Sequence, residues 1–219
     1  MFIGHYGPAG FGATRRLRLW HAVFAVQFLD ILWAPFVILG VEHVRIAPGF
    51  TDANSLDLYH MPYSHSLPMA IFWSLIAGLA YRRLQGPERL TDAIVFAALV
   101  FSHWVLDFIT HIPDLPLWIG GPEVGLGLWE HGSWAFAAEV LFFCLGMLVF
   151  ALRSRARSVF GWVAIATMVL VALALQVFGH WGPPPASPQM AAFSALIAYS
   201  IFIGLAYWVD RTRKIPMGS

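Results

Sequence analysis

The residues that could do chemistry lie inside apolar stretches of the chain. His103, Asp107 and His111 follow one another at intervals of four residues, so a helix places them along one stripe of its surface. Imidazole and carboxylate groups at this spacing can bind one metal ion or two adjacent ions. The alternative is a buried hydrogen-bonded pair that joins two helices. The surrounding residues are almost all apolar, which favours a functional interpretation because charged groups are unfavourable inside hydrocarbon.

Three other stretches each carry one candidate group, and each has a plain structural alternative. Asp30 is interpreted as a metal ligand or as a polar contact of Gln27, and His65 as a ligand or as an interfacial histidine at a helix start. Glu139 has no chelating neighbour one turn away, so it is a ligand, a general base or an acid bonded to a metal-binding histidine. His111 is a general base or acid, or a solvated histidine near the membrane surface.

The segments that position these groups have the composition of membrane helices. Hydrophobic residues make up 59% of the 219-residue chain and charged residues only 11%, against roughly a quarter in soluble domains. A membrane-spanning helix needs about 20 mostly apolar residues. The sequence predicts six such spans, at residues 19–41, 63–81, 92–112, 133–152, 159–179 and 190–209. The predicted fold is an all-α, polytopic bundle of six transmembrane helices, a single domain over residues 1–216, with residues 217–219 set aside as a candidate tag remnant.

The basic residues predict the orientation of these spans. Every lysine and arginine except Arg45 lies in the N-terminal segment, the second or fourth connection, or the C-terminal tail. With six spans, all of these segments lie on one side of the membrane, and the positive-inside rule makes that side cytoplasmic. We therefore expect a multi-pass protein of a bacterial inner (cytoplasmic) membrane, with both termini in the cytoplasm.

Depth along the spans places the candidate groups at one level. Counted at about 1.5 Å per helical residue from the nearest cytoplasmic arginine, Asp30, His65, His103, Asp107 and Glu139 lie roughly 18–27 Å away. Groups from four helices thus share the outer half of the membrane. The sequence predicts one cluster that faces the extracytoplasmic side.

Charge and cysteine usage exclude other classes of protein. The net charge is +1, and no run of basic residues is mixed with aromatic residues, so nucleic acid is not expected as a partner. The single cysteine, Cys144, rules out an internal disulfide framework.

Five short motifs, taken in order, resemble the bacterial inner-membrane metal-dependent hydrolase family, the YdjM-like proteins. Those proteins carry an N-terminal Gly-His, an acidic residue closing an early helix, a Thr/Ser-His-Ser step, and a Ser-His-x-x-x-Asp helix followed by a Pro-Leu-x-Trp segment. The matching residues, within about residues 1–130, are Gly4-His5, Leu29-Asp30, Ser64-His65-Ser66, Ser102-His103 with Asp107, and Leu115-Pro116-Leu117-Trp118. The order of ligands also looks distantly like that of zinc-dependent phospholipase C and the S1/P1 nucleases, which hydrolyse phosphoesters at clustered zinc ions.

The resemblance implies that His5, Asp30, His65, His103 and Asp107 hold metal. For His5, this requires the glycine-rich residues 1–13 to return into the bundle as a re-entrant or short helix, shielded from lipid by neighbouring helices. The sequence departs from the family at one point. The doubled acid Asp-x-Asp-His is replaced by Asp30-Ile31-Leu32-Trp33, which argues against a full three-metal site.

The leading hypothesis is a membrane-embedded hydrolase in which a divalent ion activates water for attack on an ester or phosphoester. Zinc is the first expectation for the metal, with Mn²⁺ or Fe²⁺ as alternatives because carboxylates are mixed with imidazoles. Glu139 or His111 would serve as the general base or acid. The position in the outer half of the bilayer favours an amphipathic substrate, a lipid or a lipid-linked molecule.

Two other hypotheses belong to different classes. A transporter or an ion- or proton-conducting protein would use the Asp, His and Glu groups as a path across the membrane. Such a path needs polar groups at several depths, and the inner half of every predicted span is nearly free of them. A scaffold would use the cluster only to hold its helices together. The sequence predicts no oligomeric state.

Overall fold

The helices form where the apolar runs predict them. The structure, a computed structural model, describes residues 2–216, so the set-aside residues 217–219 lie outside the described part. The chain begins with a 3₁₀ turn, Ile3–Tyr6, and a short helix α1, Gly7–Gly12. The longer helices follow in order as α2 (Leu19–Val26), α3 (Phe28–Ile38), α4 (Leu67–Gln85), α5 (Leu90–Thr110), α6 (Gly132–Arg153), α7 (Val159–Trp181) and α8 (Pro188–Thr212).

The number of membrane spans agrees only in part with the prediction. Within residues 2–216, α5, α6, α7 and α8 are long and apolar enough to cross a membrane, and α2 with α3 forms a fifth candidate if the bent pair is one span. The chain therefore has the helices of a membrane protein, but the count of six is not confirmed. The difference lies in α4, which has 19 residues and carries Arg82 and Arg83 in its last turn. These two arginines lower its average hydropathy.

The first predicted span is broken in its middle. Helices α2 and α3 meet at an angle of 48°, and the residue between them, Gln27, has non-helical backbone angles (φ −104°, ψ 3°). Pro35 lies inside α3, eight residues beyond the break, so proline is not the cause of the bend. The break turns the end of α2 toward α5, where its last carbonyl, that of Val26, accepts a side-chain hydrogen bond.

The N-terminal segment lies inside the bundle, as the short helix predicted there requires. Ile3, Tyr6 and Ala9 are fully buried. The segment packs against α6 through glycine: a Cβ atom built on Gly10 would be 2.0 Å from the carbonyl oxygen of Gly146. Only two glycines allow the backbones to approach this closely, as small residues do between membrane helices.

Helices α5 and α8 pack against most of the other helices, and α6 joins the bundle through the N-terminal segment and α7. Helix α5 packs against α4 and α2, and α8 packs against α2, α3 and α7. The core between the helices is apolar, with Phe143 and Phe150 from α6, Met168 from α7 and Phe202 from α8 fully or almost fully buried. This packing fixes the ends of α3, α4 and α5 beside one another.

The connections contain three small two-stranded sheets, which the all-α prediction did not include. The first connection forms an antiparallel hairpin of β1 (His43–Ile46) and β2 (Leu56–His60). The third connection contains β3 (Leu115–Pro116) and β4 (Glu123–Val124), and β5 (Arg155–Ala156) pairs with β6 (Arg213–Lys214) at the other end of the bundle. Val44 and Leu58 are buried and alternate with polar neighbours. This alternation has a period of two residues, and a search for apolar runs of helix length does not detect it.

Candidate metal centre

The five predicted metal ligands meet at one end of the bundle. His5 comes from the 3₁₀ turn, Asp30 from α3, His65 from the turn before α4, and His103 and Asp107 from α5. Two sets of three donor atoms lie within 4.8 Å of one another, His5 with His103 and Asp107, and Asp30 with His65 and His103. Four of the five side chains are buried, and only that of Asp30 is 18% exposed. Access to the cluster from outside therefore passes Asp30.

Asp107 lies between four imidazole rings, and its two oxygens face different pairs. Its Oδ1 is 3.1 Å from Nε2 of His5 and 3.3 Å from Nε2 of His111. Its Oδ2 is 3.0 Å from Nε2 of His103 and 3.6 Å from Nε2 of His65. The spacing of four residues on α5 places His103 and His111 on either side of the carboxylate, so the predicted stripe forms one wall of the site.

Asp30 directs one oxygen at the cluster and uses the other for structure. Its Oδ1 is 3.4 Å from Nε2 of His65 and 3.5 Å from Nε2 of His103. Its Oδ2 accepts hydrogen bonds from the Nε2 amide of Gln27 and, at 2.9 Å, from the hydroxyl of Tyr199 on α8. The two interpretations of Asp30, ligand and polar contact of Gln27, are thus compatible.

A backbone hydrogen bond determines the tautomer of His103. Its Nδ1 lies 2.7 Å from the carbonyl oxygen of Val26, at the break between α2 and α3. A carbonyl oxygen only accepts, so Nδ1 carries a hydrogen and Nε2 is the ring nitrogen that faces the cluster. In the neutral ring, Nε2 then offers its lone pair to a metal ion. Metal-binding histidines in proteins are held in this manner.

A chain of hydrogen bonds from Glu42 through Ser64, here called the relay, determines which ring nitrogen of His65 donates. The hydroxyl of Ser64 lies 2.6 Å from Oε2 of Glu42 and 2.6 Å from Nδ1 of His65. The hydroxyl has one hydrogen and donates it to the carboxylate, so it must accept from Nδ1 of His65. Glu42 is itself fully buried, and its Oε1 accepts from the backbone N–H groups of Tyr63 and Ser64, both at 2.8 Å. Nε2 of His65 is therefore also the nitrogen that faces the cluster, and in the neutral ring its lone pair can bind metal.

Nδ1 of His111 is also held by a neighbouring group, in this case the carboxylate of Asp114. Its Nδ1 is 2.8 Å from Oδ1 of Asp114, and its ring stacks on Trp129 with the centroids 4.0 Å apart. His111 is 3% exposed, and its Nε2 lies 3.3 Å from Oδ1 of Asp107. His111 is thus part of the cluster and not a solvated histidine.

The arrangement of these groups fits a metal ion. The Nε2 atoms of His65 and His103 lie 3.3 Å apart, and both also face carboxylate oxygens. The ring nitrogens of His5 make no hydrogen bond with any described residue, although Nε2 is close to Asp107. Buried acceptors that face one another need a cation between them. Imidazole nitrogens with carboxylate oxygens are the donors that Zn²⁺, Mn²⁺ and Fe²⁺ use in proteins.

Glu139 contacts the N-terminal segment and belongs to neither set of three donor atoms. Its buried Oε2 accepts from the backbone N–H of Phe2 at 2.8 Å and from that of Gly4 at 3.4 Å. A carboxylate at this place holds the start of the 3₁₀ turn that carries His5. These contacts fit a supporting role better than ligation, and the role of general base stays a prediction.

Three supporting residues were not found from the sequence. Neither Glu42 nor Tyr199 was predicted as a residue of the site. Asp114 carries a signal that could have been read, because it follows His111 by three residues. Nothing in the sequence links Glu42 to His65 or Tyr199 to Asp30, since each pair joins distant segments.

Comparison with known proteins gives no family for the chain. No protein-family model, no curated protein and no solved structure matches it. The resemblance to the YdjM-like proteins therefore stays a prediction based on the motifs alone.

Proposed function

We propose that this protein is a membrane-embedded metal-dependent hydrolase that cleaves an ester or phosphoester. The observation that carries the proposal is the convergence of four imidazole Nε2 atoms on the carboxylates of Asp30 and Asp107. His65, His103 and His111 each bond an acceptor through Nδ1, so each directs Nε2 inward. A contact that only held two helices together would need one imidazole for each carboxylate, and here four rings surround Asp107.

The ligands and their supports have distinct roles in this proposal. His5, Asp30, His65, His103 and Asp107 would hold the metal, with zinc as the first expectation. When bound, a divalent ion supplies Lewis acidity, which allows water to act as a nucleophile near neutral pH. His111 is the best-placed group to move a proton, because its ring borders Asp107 and Asp114 holds its orientation.

The substrate is proposed to be a lipid or a lipid-linked molecule that reaches the site beside Asp30. Asp30 and Tyr199 lie where α3 packs against α8, and Asp30 is the exposed member of the cluster. The proposed membrane arrangement has six spans, with α2 and α3 as one broken span and α4 as another. The metal centre would then face the extracytoplasmic side of a bacterial inner membrane, opposite the basic residues.

A transport path is the rival function, and the distribution of buried charge argues against it. Within residues 2–216, the buried acidic and imidazole groups lie at the metal-centre end of the bundle. The buried charged residue at the other end, Arg213, is occupied by hydrogen bonds to Ser154 and to backbone carbonyls. A one-sided site suits hydrolysis better than conduction.

Metal content of the purified full-length protein tests the proposal first. Elemental analysis should find bound divalent metal in the wild-type protein and at least tenfold less in His103→Ala. The matched control is His60→Ala, which removes an exposed histidine of β2 and should leave the metal content unchanged. Equal metal content in all three proteins would exclude the cluster as a metal site.

Activity tests the chemistry separately. The wild-type protein in lipid nanodiscs should hydrolyse a member of a panel of phospholipid and ester substrates, lose this activity with a chelator and regain it with Zn²⁺, Mn²⁺ or Fe²⁺. Metal-loaded protein that cleaves nothing in the panel, but moves protons or cations across proteoliposomes, would favour the transport function.

A further inference from the structure

A cavity lies at the end of the bundle opposite the proposed metal centre, and basic side chains surround it. The cavity has a volume of about 740 Å³. Three separate segments meet around it, the stretch before α2, the β5 region and the end of α8 with β6. Six of its lining residues are exposed cations that no described carboxylate pairs with: Arg15, Arg18, Arg155, Arg157, Arg211 and Lys214.

The other charged groups of the cavity are already used by the fold. Asp210 is the one carboxylate among residues 2–216 that lines it, and its two oxygens accept from the backbone N–H groups of Leu19 and Trp20 at the start of α2. Arg213 is buried, bonds Ser154 and lies over the ring of Trp162. Asp210 can therefore compensate at most one of the six exposed cations.

Strand pairing brings two of these cations directly opposite one another. Arg155 of β5 and Lys214 of β6 are partners in the antiparallel register. Like charges opposite one another destabilise a strand pair. Walls of low dielectric strengthen the field inside a concave surface, so the repulsion is greater there than on an open face. An anion in the cavity would convert this repulsion into attraction.

From this geometry we propose that the cavity binds a phosphate-bearing anion, the headgroup of an anionic lipid in the leaflet at that end of the bundle. Arginine recognises phosphate through paired N–H donors, and three chain segments supply arginines here. The lipid is favoured as the source because the rim is continuous with the lipid-facing surface. Phe160 and Trp162 are exposed one turn beyond Arg157, and tryptophan is typical of the membrane interface.

The test compares lipids and soluble phosphates on the full-length protein in detergent. Native mass spectrometry should show that the wild-type protein retains phosphatidylglycerol over phosphatidylcholine with the same acyl chains. Arg155→Gln combined with Arg157→Gln should weaken retention about 25-fold, about fivefold for each basic residue removed. Inorganic pyrophosphate serves as the soluble arm: binding of pyrophosphate without retention of phosphatidylglycerol would identify a soluble phosphate compound as the source.

The matched control removes the same charge from the same end of the bundle. Arg82→Gln combined with Arg83→Gln changes two cations of α4 that lie outside the cavity, and retention should stay within about threefold of wild type. Equal loss in the two double variants would overturn the proposal, because a diffuse positive field would then explain binding. The proposal would also be overturned if the wild-type protein neither preferred phosphatidylglycerol over phosphatidylcholine nor bound pyrophosphate. The thermal unfolding midpoint and the metal content of each variant show whether it is folded.

Discussion

The ring of His103 and the carbonyl oxygen of Val26 are joined by a hydrogen bond of 2.7 Å between α5 and the bend in the first span. The break at Gln27 therefore has a structural use. It directs the last carbonyl of α2 at His103, and the side chain of Gln27 donates to Asp30; both residues are proposed metal ligands. Breaks in membrane helices are tolerated where neighbouring groups satisfy the backbone, as here.

Glu42→Gln should weaken metal binding about 10–100-fold, the usual effect of losing a partner behind a ligand. The amide of glutamine would donate to Ser64, so Ser64 would donate to His65 and the hydrogen of His65 would move to Nε2. Competition with a chelator of known affinity measures the effect. Glu123→Gln makes the same change on exposed β4 and should leave the affinity unchanged; equal affinity in both variants would contradict the relay.

Glu139 and His5 should act as one unit in metal binding. Glu139→Ala removes the acceptor of the backbone N–H groups of Phe2 and Gly4, so the segment that carries His5 loses its anchor. We expect His5→Ala and Glu139→Ala each to lower metal affinity, and the double variant to be no worse than His5→Ala. Losses that add would show that Glu139 holds metal independently. Metal affinity equal to wild type with lost activity in Glu139→Ala would instead support the general base.

Gly10→Ala should lower metal affinity at least tenfold although residue 10 lies outside the site. The added methyl group would collide with the carbonyl of Gly146, so the N-terminal segment must move away from α6 and take His5 with it. Gly204→Ala on α8 adds the same methyl group where no atom lies within 4 Å, and it should bind metal as wild type does. The measurement is the same chelator competition, and unchanged affinity in Gly10→Ala would refute the close packing.

Cysteine labelling should place α4 across the membrane. In a Cys144→Ser background, Glu88→Cys and Arg155→Cys should react only with a reagent applied from the cytoplasm. Asn54→Cys, Glu123→Cys and Ala186→Cys should react only from the outside. Position 88 is preferred to position 86, because Gly86 has φ +115° and a cysteine there would be strained. Labelling of residue 123 from the cytoplasm alone would end the six-span arrangement.

The sequence predicted the parts of the protein that follow from local pattern and depth. Apolar runs fixed the helices to within a few residues, and the four-residue spacing with equal depths predicted that His103, Asp107 and the other ligands meet. The hydrogen bonds behind the ligands were not predictable in this way. Glu42 and His65 are joined through a connection with no period of its own, and Tyr199 reaches Asp30 from a helix 169 residues away along the chain.

The bend at Gln27 and the hairpin of β1 and β2 were missed for a different reason. An apolar run of helix length gives no sign of where its axis turns, since Gln27 has an ordinary helix propensity. The alternation around Val44 and Leu58 is only four or five residues long in each strand. Such short alternation is outweighed by the apolar spans on either side.

The close approach of Gly10 and Gly146 sets an order of events during synthesis. At about 5–20 residues per second, Gly146 emerges from the ribosome roughly 7–30 s after His5. Until α6 has entered the membrane, the N-terminal segment has no surface to pack on, and Glu139 cannot yet hold its backbone. His5, the first of the proposed ligands to be translated, thus reaches its place only after α6 is present, and a nascent chain that stops before α6 would lack it at the proposed metal centre.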